Sequence, residues 1–150
     1  MAIKGLNQAI SKLTTKFVRI ENAIVDEIQN TGQSIQSDAS QYASAVGFFD
    51  TYGNWVELNG KVKGEGLNEA NGTGYKIWVD AGKMGAYTEF GTGEYAVGTL
   101  AAYNAEWRAM AYEFYVNGEG KLPARPYMYP SWVKNTTGLM DRLRNRIKRP

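Results

Sequence analysis

The feature that most restricts what this chain can become is its opening stretch. Ile3, Leu6, Ile10, Leu13, Phe17, Ile20 and Ile24 follow one another at steps of three and four, the spacing that lines apolar side chains along one face of a helix. No proline occurs before Pro123. From Ala2 to about Ser44 the sequence therefore predicts one long amphipathic helix, or two in tandem broken at Thr31-Gly32, with Ile35, Ala39 and Tyr42 continuing a weaker stripe. A helix of some forty residues runs roughly 60 Å at ~1.5 Å per residue, longer than a small sheet can cover. Part of it is expected to project toward a neighbour. Three heptads do not make a stable free coiled coil, so the stripe either packs on the domain's own sheet or meets another subunit.

After the helix the pattern changes. Phe48 to Asn54, with Asp50-Thr51-Tyr52-Gly53-Asn54, reads as a turn region. Trp55 to Val62 alternates weakly and is interrupted by the hairpin dipeptide Asn59-Gly60. Lys61 to Glu69 is polar and Gly-rich and leads to Asn71-Gly72-Thr73-Gly74, so 58–74 reads as a mobile hairpin. Tyr75 to Asp80 is the clearest strand, and Ala86 to Phe90 is its expected partner across Gly82-Lys83-Met84-Gly85. Within 95–116, Leu100, Tyr103, Trp107, Met110, Ala111 and Phe114 predict a short helix stopped by Asn117-Gly118-Glu119-Gly120. A last helix is expected from Ser131 through Val133, Leu139, Leu143 and Ile147, weakened at Asn135-Thr136-Thr137-Gly138. The expected fold is α+β in a single domain over 1–150: a long N-terminal helix packed on a small antiparallel β-sheet, with a short inserted helix and a C-terminal basic helix.

Composition narrows the chemistry. At 150 residues and 43% hydrophobic the chain can bury one core. It has no cysteine and no histidine, which removes disulfides, thiolate metal sites, the commonest general base and the commonest zinc ligand. No run of eighteen apolar residues is present, and Met-Ala-Ile-Lys leads into mixed polar sequence, so a soluble protein without a secretory leader is expected. Gly91-Thr92-Gly93, with Gly98 beyond, lacks phosphate-loop spacing and reads as backbone needing positive φ or close approach. Glu57, Glu65, Glu69, Asp80, Glu89, Glu94, Glu106, Glu113 and Glu119 supply carboxylates, and a glycosidase needs only two of them held ~5–9 Å apart. Nothing in the sequence pairs them, and no calcium loop occurs. No cofactor or metal is expected.

Charge is segregated. Residues 131–150 carry Lys134, Arg142, Arg144, Arg146, Lys148 and Arg149 against Asp141 alone, a net +5 that leaves −3 for the rest of a chain of net +2. Such a tail fits phosphate, an acidic partner, or water and its own helix dipole.

Two stretches stand out: Ala86-Tyr87-Thr88-Glu89-Phe90-Gly91-Thr92-Gly93, and Lys121-Leu122-Pro123-Ala124-Arg125-Pro126-Tyr127-Met128-Tyr129-Pro130-Ser131-Trp132. Three prolines in eight residues fix an extended path that must dock against something. Arg125, flanked by Pro123 and Pro126, either pairs with a carboxylate, Glu89 being the candidate, or snorkels to solvent. Tyr127, Tyr129 and Trp132, with Tyr112 and Tyr115, suit base stacking or, among the chain's 19 aromatics, core and interface packing.

In this order, just before a final helix, the two stretches resemble the tail-completion (head-tail joining) proteins of long-tailed bacteriophages. That family has an aromatic-Glu-aromatic-Gly-Thr strand end followed by a small-Arg-Pro-aromatic-x-x-Pro segment. Residues 87–93 and 122–130 carry the likeness; the 94–120 insert is long, and Asp50-Thr51-Tyr52-Gly53 stands where an Asp-Thr-Gly-like element is expected. The resemblance implies a structural virion protein of the phage neck with no enzymatic activity and no cofactor, assembled in the bacterial host cytoplasm. It implies a ring, expected to be a hexamer, at the head-proximal end of the tail, completing the tail and joining it to the capsid connector. Its implied partners are further copies of itself, head-closure or connector proteins, and a tail terminator or tail tube, with no membrane. Tyr87, Glu89, Phe90, Gly91, Thr92, Gly93, Pro123, Arg125, Pro126, Tyr127, Pro130 and Trp132 are then the clasp and interface residues. The alternative is a neck stopper or adaptor that touches genomic DNA through Arg142, Arg144, Arg146, Lys148 and Arg149; a carboxylate hydrolase is the third reading.

Overall fold

The computed structural model describes residues 6–49, 52–69, 72–93, 95–96, 101–116 and 120–148. Its elements are α1 (Leu6–Ala43), β1 (Gly47–Phe49), β2 (Trp55–Glu57), β3 (Val62–Glu69), β4 (Gly72–Val79), α2 (Lys83–Phe90), α3 (Ala105–Val116), α4 (Met128–Thr136) and α5 (Leu139–Lys148). The class is α+β and mostly helical, with two separate two-stranded antiparallel sheets, β1–β2 and β3–β4. Ile3, Asp50, Thr51, Asn71, Glu94, Gly98, the Asn117-Gly118-Glu119 stop and Arg149 lie outside the described residues.

α1 is one helix of 38 residues, about 57 Å long at ~1.5 Å per residue. Of the two expected arrangements, one long helix or two broken at Thr31-Gly32, the single helix is found. A mid-helix glycine costs about 1 kcal/mol relative to alanine, but here a Cβ on Gly32 would run into the Tyr75 ring of β4. The glycine lets the strand lie against the helix. Polar bonds complete the contact: Gln29 Nε2 donates to the Gly74 carbonyl at 2.9 Å, and the Tyr75 hydroxyl donates to Gln36 Oε1 at 2.7 Å.

The strand partners differ from expectation. The hairpin expected over 58–74 is present but extends further along the chain: β3 pairs with β4 in register from Val62 opposite Val79 to Glu69 opposite Gly72. A strand so poor in large side chains is stable because β3 and β4 both pack on α1. Ala86 to Phe90, expected as the partner strand, belongs instead to helix α2. Three of the four residues it buries, Gly85, Thr88 and Glu89, stand at i, i+3 and i+4, on one face of a helix and on both faces of a strand, and the fourth, Phe90, is its last residue. Phe48 and Phe49 leave the expected turn to form β1, with Phe49 opposite Trp55. Asn59-Gly60 does turn the chain, Lys61 N donating to the Leu58 carbonyl at 3.0 Å, but it joins strands of different sheets. The final helix is two helices: α4 starts three residues before Ser131, and the expected weak point is a break at Gly138, φ 74°.

Two apolar clusters flank α2. One gathers Ala39, Ala43, Phe48, Leu58, Val62 and Tyr127, with Met84 of α2 packed against it. The other gathers Phe90, Tyr103 and Ala111, with Ala86, Trp107 and Tyr129 alongside. α1 supports the body only over its second half: residues 7–19 are all exposed, and its first buried residue is Glu27. About 20 Å of helix, thirteen residues at ~1.5 Å each, therefore stands clear of the domain. Among the described residues no helix is long and apolar enough to cross a membrane.

Candidate functional site

The two stretches singled out in the sequence do meet, but through different chemistry from that expected. α2 ends at Gly91, whose N–H donates to the Tyr87 carbonyl at 2.8 Å. Gly91 has φ 73°, and a Cβ there would sit 2.8 Å from Ala124 N and 3.0 Å from the Leu122 carbonyl oxygen. Only glycine allows both the turn and the close approach of the proline-rich strap. Gly93 also has positive φ, at 58°. The strap then runs beside the helix end: Thr92 N donates to the Leu122 carbonyl at 2.9 Å, Leu122 N to Thr92 Oγ1 at 2.9 Å, and Arg125 N to the Thr88 carbonyl at 2.8 Å. Pro123 and Pro126 flank these bonds, offering no N–H themselves, on the exposed side of the strap.

Glu89 is the centre of the site. It is 3% exposed, and its carboxylate accepts three consecutive backbone N–H groups: Tyr127 at 2.7 Å and Met128 at 2.8 Å on Oε2, and Tyr129 at 2.9 Å on Oε1. These are the leading donors of α4, whose N-cap residue, Tyr127, supplies no side-chain cap of its own. The next residue is Pro130, which has no N–H to satisfy. A carboxylate 38 residues upstream thus caps the helix completely, and its negative charge lies at the positive end of the helix dipole. The Tyr103 hydroxyl adds a fourth donor, 3.4 Å from Oε1 and 3.1 Å from the Glu89 carbonyl. Loss of hydration holds the Glu89 carboxyl above its ordinary value of 4.5, outweighing the backbone N–H groups of 127–129 and the Tyr103 hydroxyl, which pull the other way. Burial, with the Glu89 charge second, likewise pushes the Tyr103 and Tyr127 phenols up.

Of the two readings open for Arg125, a pair with Glu89 or a side chain reaching to solvent, the second is found. Backbone donors occupy the carboxylate, and the Arg125 side chain is exposed. The physical reason is proximity: the three N–H groups of a helix start converge on one point, whereas Arg125 lies on the outward side of the strap. The aromatic residues pack inward. Tyr127 is buried and donates its hydroxyl to the Gly85 carbonyl at 3.0 Å. Tyr129 lies 4.4 Å from Tyr103 and 5.3 Å from Trp107 between ring centres, with Trp132 6.4 Å from Trp107. Phe90 closes the same cluster at 5.5 Å from Tyr103. These rings form a core, not a base-stacking platform; each such pair adds about 0.5–1.5 kcal/mol beyond its burial. Tyr112, on α3, is exposed.

The basic tail is largely engaged within the molecule. Arg142 Nε and Arg146 Nε contact the two oxygens of Glu27 at 2.6 and 2.7 Å. Arg142 also donates to the carbonyls of Asn135 and Thr137 at 2.8 and 3.0 Å, closing the C-terminus of α4. Arg144 pairs with Asp141 at 3.1 Å, and Lys148 is exposed. Lys134 and Asn135 hold Asp38 of α1, at 2.9 and 2.7 Å. Glu27 and Asp38 were missed from the sequence, although Glu27 gives a signal: it falls three residues after Ile24, on the next position of the apolar stripe. An acid on a buried face calls for cationic partners.

Chemically the site is a fastener. The Glu89 oxygens accept three backbone N–H groups, while the Tyr103 hydroxyl is shared with the nearer Glu89 carbonyl. Among the described residues no group of three or more acidic, cysteine or histidine side chains is placed to hold a metal. Phe90, Trp107, Met110 and Met128, with Glu89, are among the residues that line an apolar cleft of about 450 Å³. No family model, curated protein or solved structure matches this chain.

Proposed function

We propose that this chain is a structural subunit of the neck of a long-tailed bacteriophage, one copy in a ring at the head-proximal end of the tail that completes the tail and joins it to the capsid connector. The observation that carries the reading is the division of α1. Its second half is fixed to the body by the β3–β4 hairpin, α4 and α5, while its first half presents Ile10, Leu13 and Phe17, more than half exposed, to solvent. A projecting apolar helix on a rigid body is an assembly surface, and monomers seldom leave such a stripe bare. The clasp supports the same reading: a strap locked by Pro123 and Pro126 and capped by Glu89 gives a rigid body on which several weak contacts can be built. The resemblance of residues 87–93 and 122–130 supplies the neck.

The DNA-contacting alternative loses support from the ion pairs, because Arg142 and Arg146 face Glu27 and Arg144 faces Asp141. The proposal is tested by antibody labelling of intact particles under the electron microscope. Label concentrated at the head–tail junction is expected; label on the capsid shell or the distal tail tip, or particles free of the chain, would remove it. Neighbouring genes give a second check, with portal and head-closure genes expected upstream and a tail-tube gene downstream.

A further inference from the structure

The hairpin on α1 leaves one long strand edge open. β3 runs for eight residues and pairs with β4 along its whole length without a bulge. Among the described residues nothing pairs with its other side, and it contains no proline. Edges of this length are ordinarily blunted by prolines, bulges or shortening, because their free N–H and C=O groups are a template for another chain. Asp80 N donates to the Lys61 carbonyl at 2.8 Å, and backbone direction alternates along an antiparallel ladder. The backbone groups of Lys63, Glu65 and Leu67 are therefore turned to β4, and those of Val62, Gly64, Gly66 and Asn68 to the open edge.

Side chains alternate as well. A Cβ on Gly64 would meet Gln36 and one on Gly66 would meet Gln29, so this face of β3 rests on α1. Lys63 and Glu65 stand on the opposite face, both exposed. Glu65 lies 3.7 Å from Lys76 of β4, with both side chains more than half exposed, so its carboxylate can take a second cation. On the helix, Gly32 lies under Tyr75 of β4, and Gln29 and Gln36 lie under the glycines of β3. Gln33, Ser37 and Ser40 come next around the surface on the side of the open edge, and none of them carries a charge.

We propose that the β3 edge pairs antiparallel with the β3 edge of a second copy of this chain, about a two-fold axis at Gly64, giving a four-stranded sheet in the order β4–β3–β3–β4. In this register the outward-facing residues meet one another, Gly64 with Gly64 and Val62 with Gly66, and form about six backbone hydrogen bonds. Charge selects the register and the occupant: Lys63 of each copy falls opposite Glu65 of the other, twice over. A slip of two residues either way sets Lys63 against Lys63 or Glu65 against Glu65, which is unfavourable. With strands ~4.8 Å apart, the helix beneath each ribbon lies about 10 Å from its counterpart, close to the usual spacing of packed helices. Their facing flanks, Gln33, Ser37 and Ser40, oppose no like charges. An isologous pair closes at two copies. It goes beyond the neck reading and does not depend on it: the pair is a form of the free chain, and a ring uses other faces.

Sedimentation velocity on the purified chain up to about 1 mM, the weak limit of specific association, should show a monomer–dimer equilibrium. Lys63→Glu sets a glutamate against Glu65 twice, and Glu65→Lys sets a lysine against Lys63 twice. Each variant alone should therefore associate about tenfold more weakly than wild type. An equimolar mixture of the two should recover wild-type affinity as a one-to-one dimer, because both crossed pairs are again of opposite sign. Both positions are exposed, so melting curves at low concentration should match wild type. Amide hydrogen exchange on wild type needs no variant: Val62, Gly64 and Gly66 should become protected as concentration rises. A wild type that stays monomeric, a mixture no tighter than either variant alone, or a dimer whose Gly64 and Gly66 amides exchange freely overturns the pair and leaves the neck reading standing. A chain that forms the pair but is absent from phage particles removes the neck reading and leaves the pair.

Discussion

Replacing Glu89 by alanine should destabilise the domain by about 3–4 kcal/mol. The magnitude comes from the three bonds it makes. Tyr127 N is buried and would lose its acceptor, at a cost of about 1–3 kcal/mol for an unmade bond. Met128 N and Tyr129 N are partly buried and recover some hydration, so their loss is closer to that of an ordinary helix cap, about 1–2 kcal/mol together. For a domain of this size each kcal/mol lowers Tm by about 2–4 °C, giving a fall of about 10 °C. Glu89→Gln keeps one acceptor but turns an amide toward the remaining donors, and should lose about half as much. Circular dichroism melts give the size, and amide hydrogen exchange gives the place: protection at residues 127–129 should collapse before that of α1. Arg125→Leu is the control, expected within about 0.5 kcal/mol of wild type because its side chain is exposed. If Glu89→Ala melts within 3 °C of wild type, in the range of an ordinary surface substitution, or if Arg125→Leu costs as much as Glu89→Ala, the capping argument is wrong.

Other substitutions test the rest of the frame. Glu27→Ala leaves Arg142 and Arg146 without their shared carboxylate but still half exposed to water, so chemical denaturation should show a loss of about 2 kcal/mol. Adding Arg146→Ala to that variant should then cost little more, since Glu27 is the partner it loses. Gly32→Ala should raise helix propensity by about 1 kcal/mol, yet its methyl meets the Tyr75 ring, so a net destabilisation of about 1–3 kcal/mol is expected. Tyr75→Ala should reverse the sign of that substitution. Because native Glu89 holds its proton more tightly than the unfolded chain, its contribution is full below about 4.5 and declines as pH rises through its raised native value. Asp38 runs the other way: its bonds to Lys134 and Asn135 lower its native value, so its contribution is full above 3.8 and is lost as pH falls further. Melts from pH 3 to 7 of wild type, Glu89→Gln and Asp38→Asn separate the two slopes.

The long helix was legible because its stripe repeats over many turns, and the docking of the strap beside residues 88–92 because prolines restrict the path. α2 was not. Its buried residues include a glycine and a threonine of poor helix propensity, so the helix depends on tertiary packing that sequence pattern does not report. The β3 strand was hidden for a related reason: its glycines read as loop until α1 is laid against them. Glu89 was correctly singled out, but its partners are backbone N–H groups, which leave no trace in side-chain identity. Of the two readings open for Arg125, the one that sends its side chain to solvent is found. Glu27 could have been found, since the three-and-four stepping that runs to Ile24 leads straight to it and then to Thr31. The charged C-terminus showed its sign in the sequence, while the acid that neutralises it lies more than a hundred residues away.

The proposed neck role is tested most directly by deleting the gene for this chain from the phage genome that the proposal requires and examining the lysate by negative-stain electron microscopy. A neck subunit leaves DNA-filled heads and finished tails side by side and unjoined, with joining restored when purified chain is added back. Joined, infectious particles at wild-type yield would contradict the account.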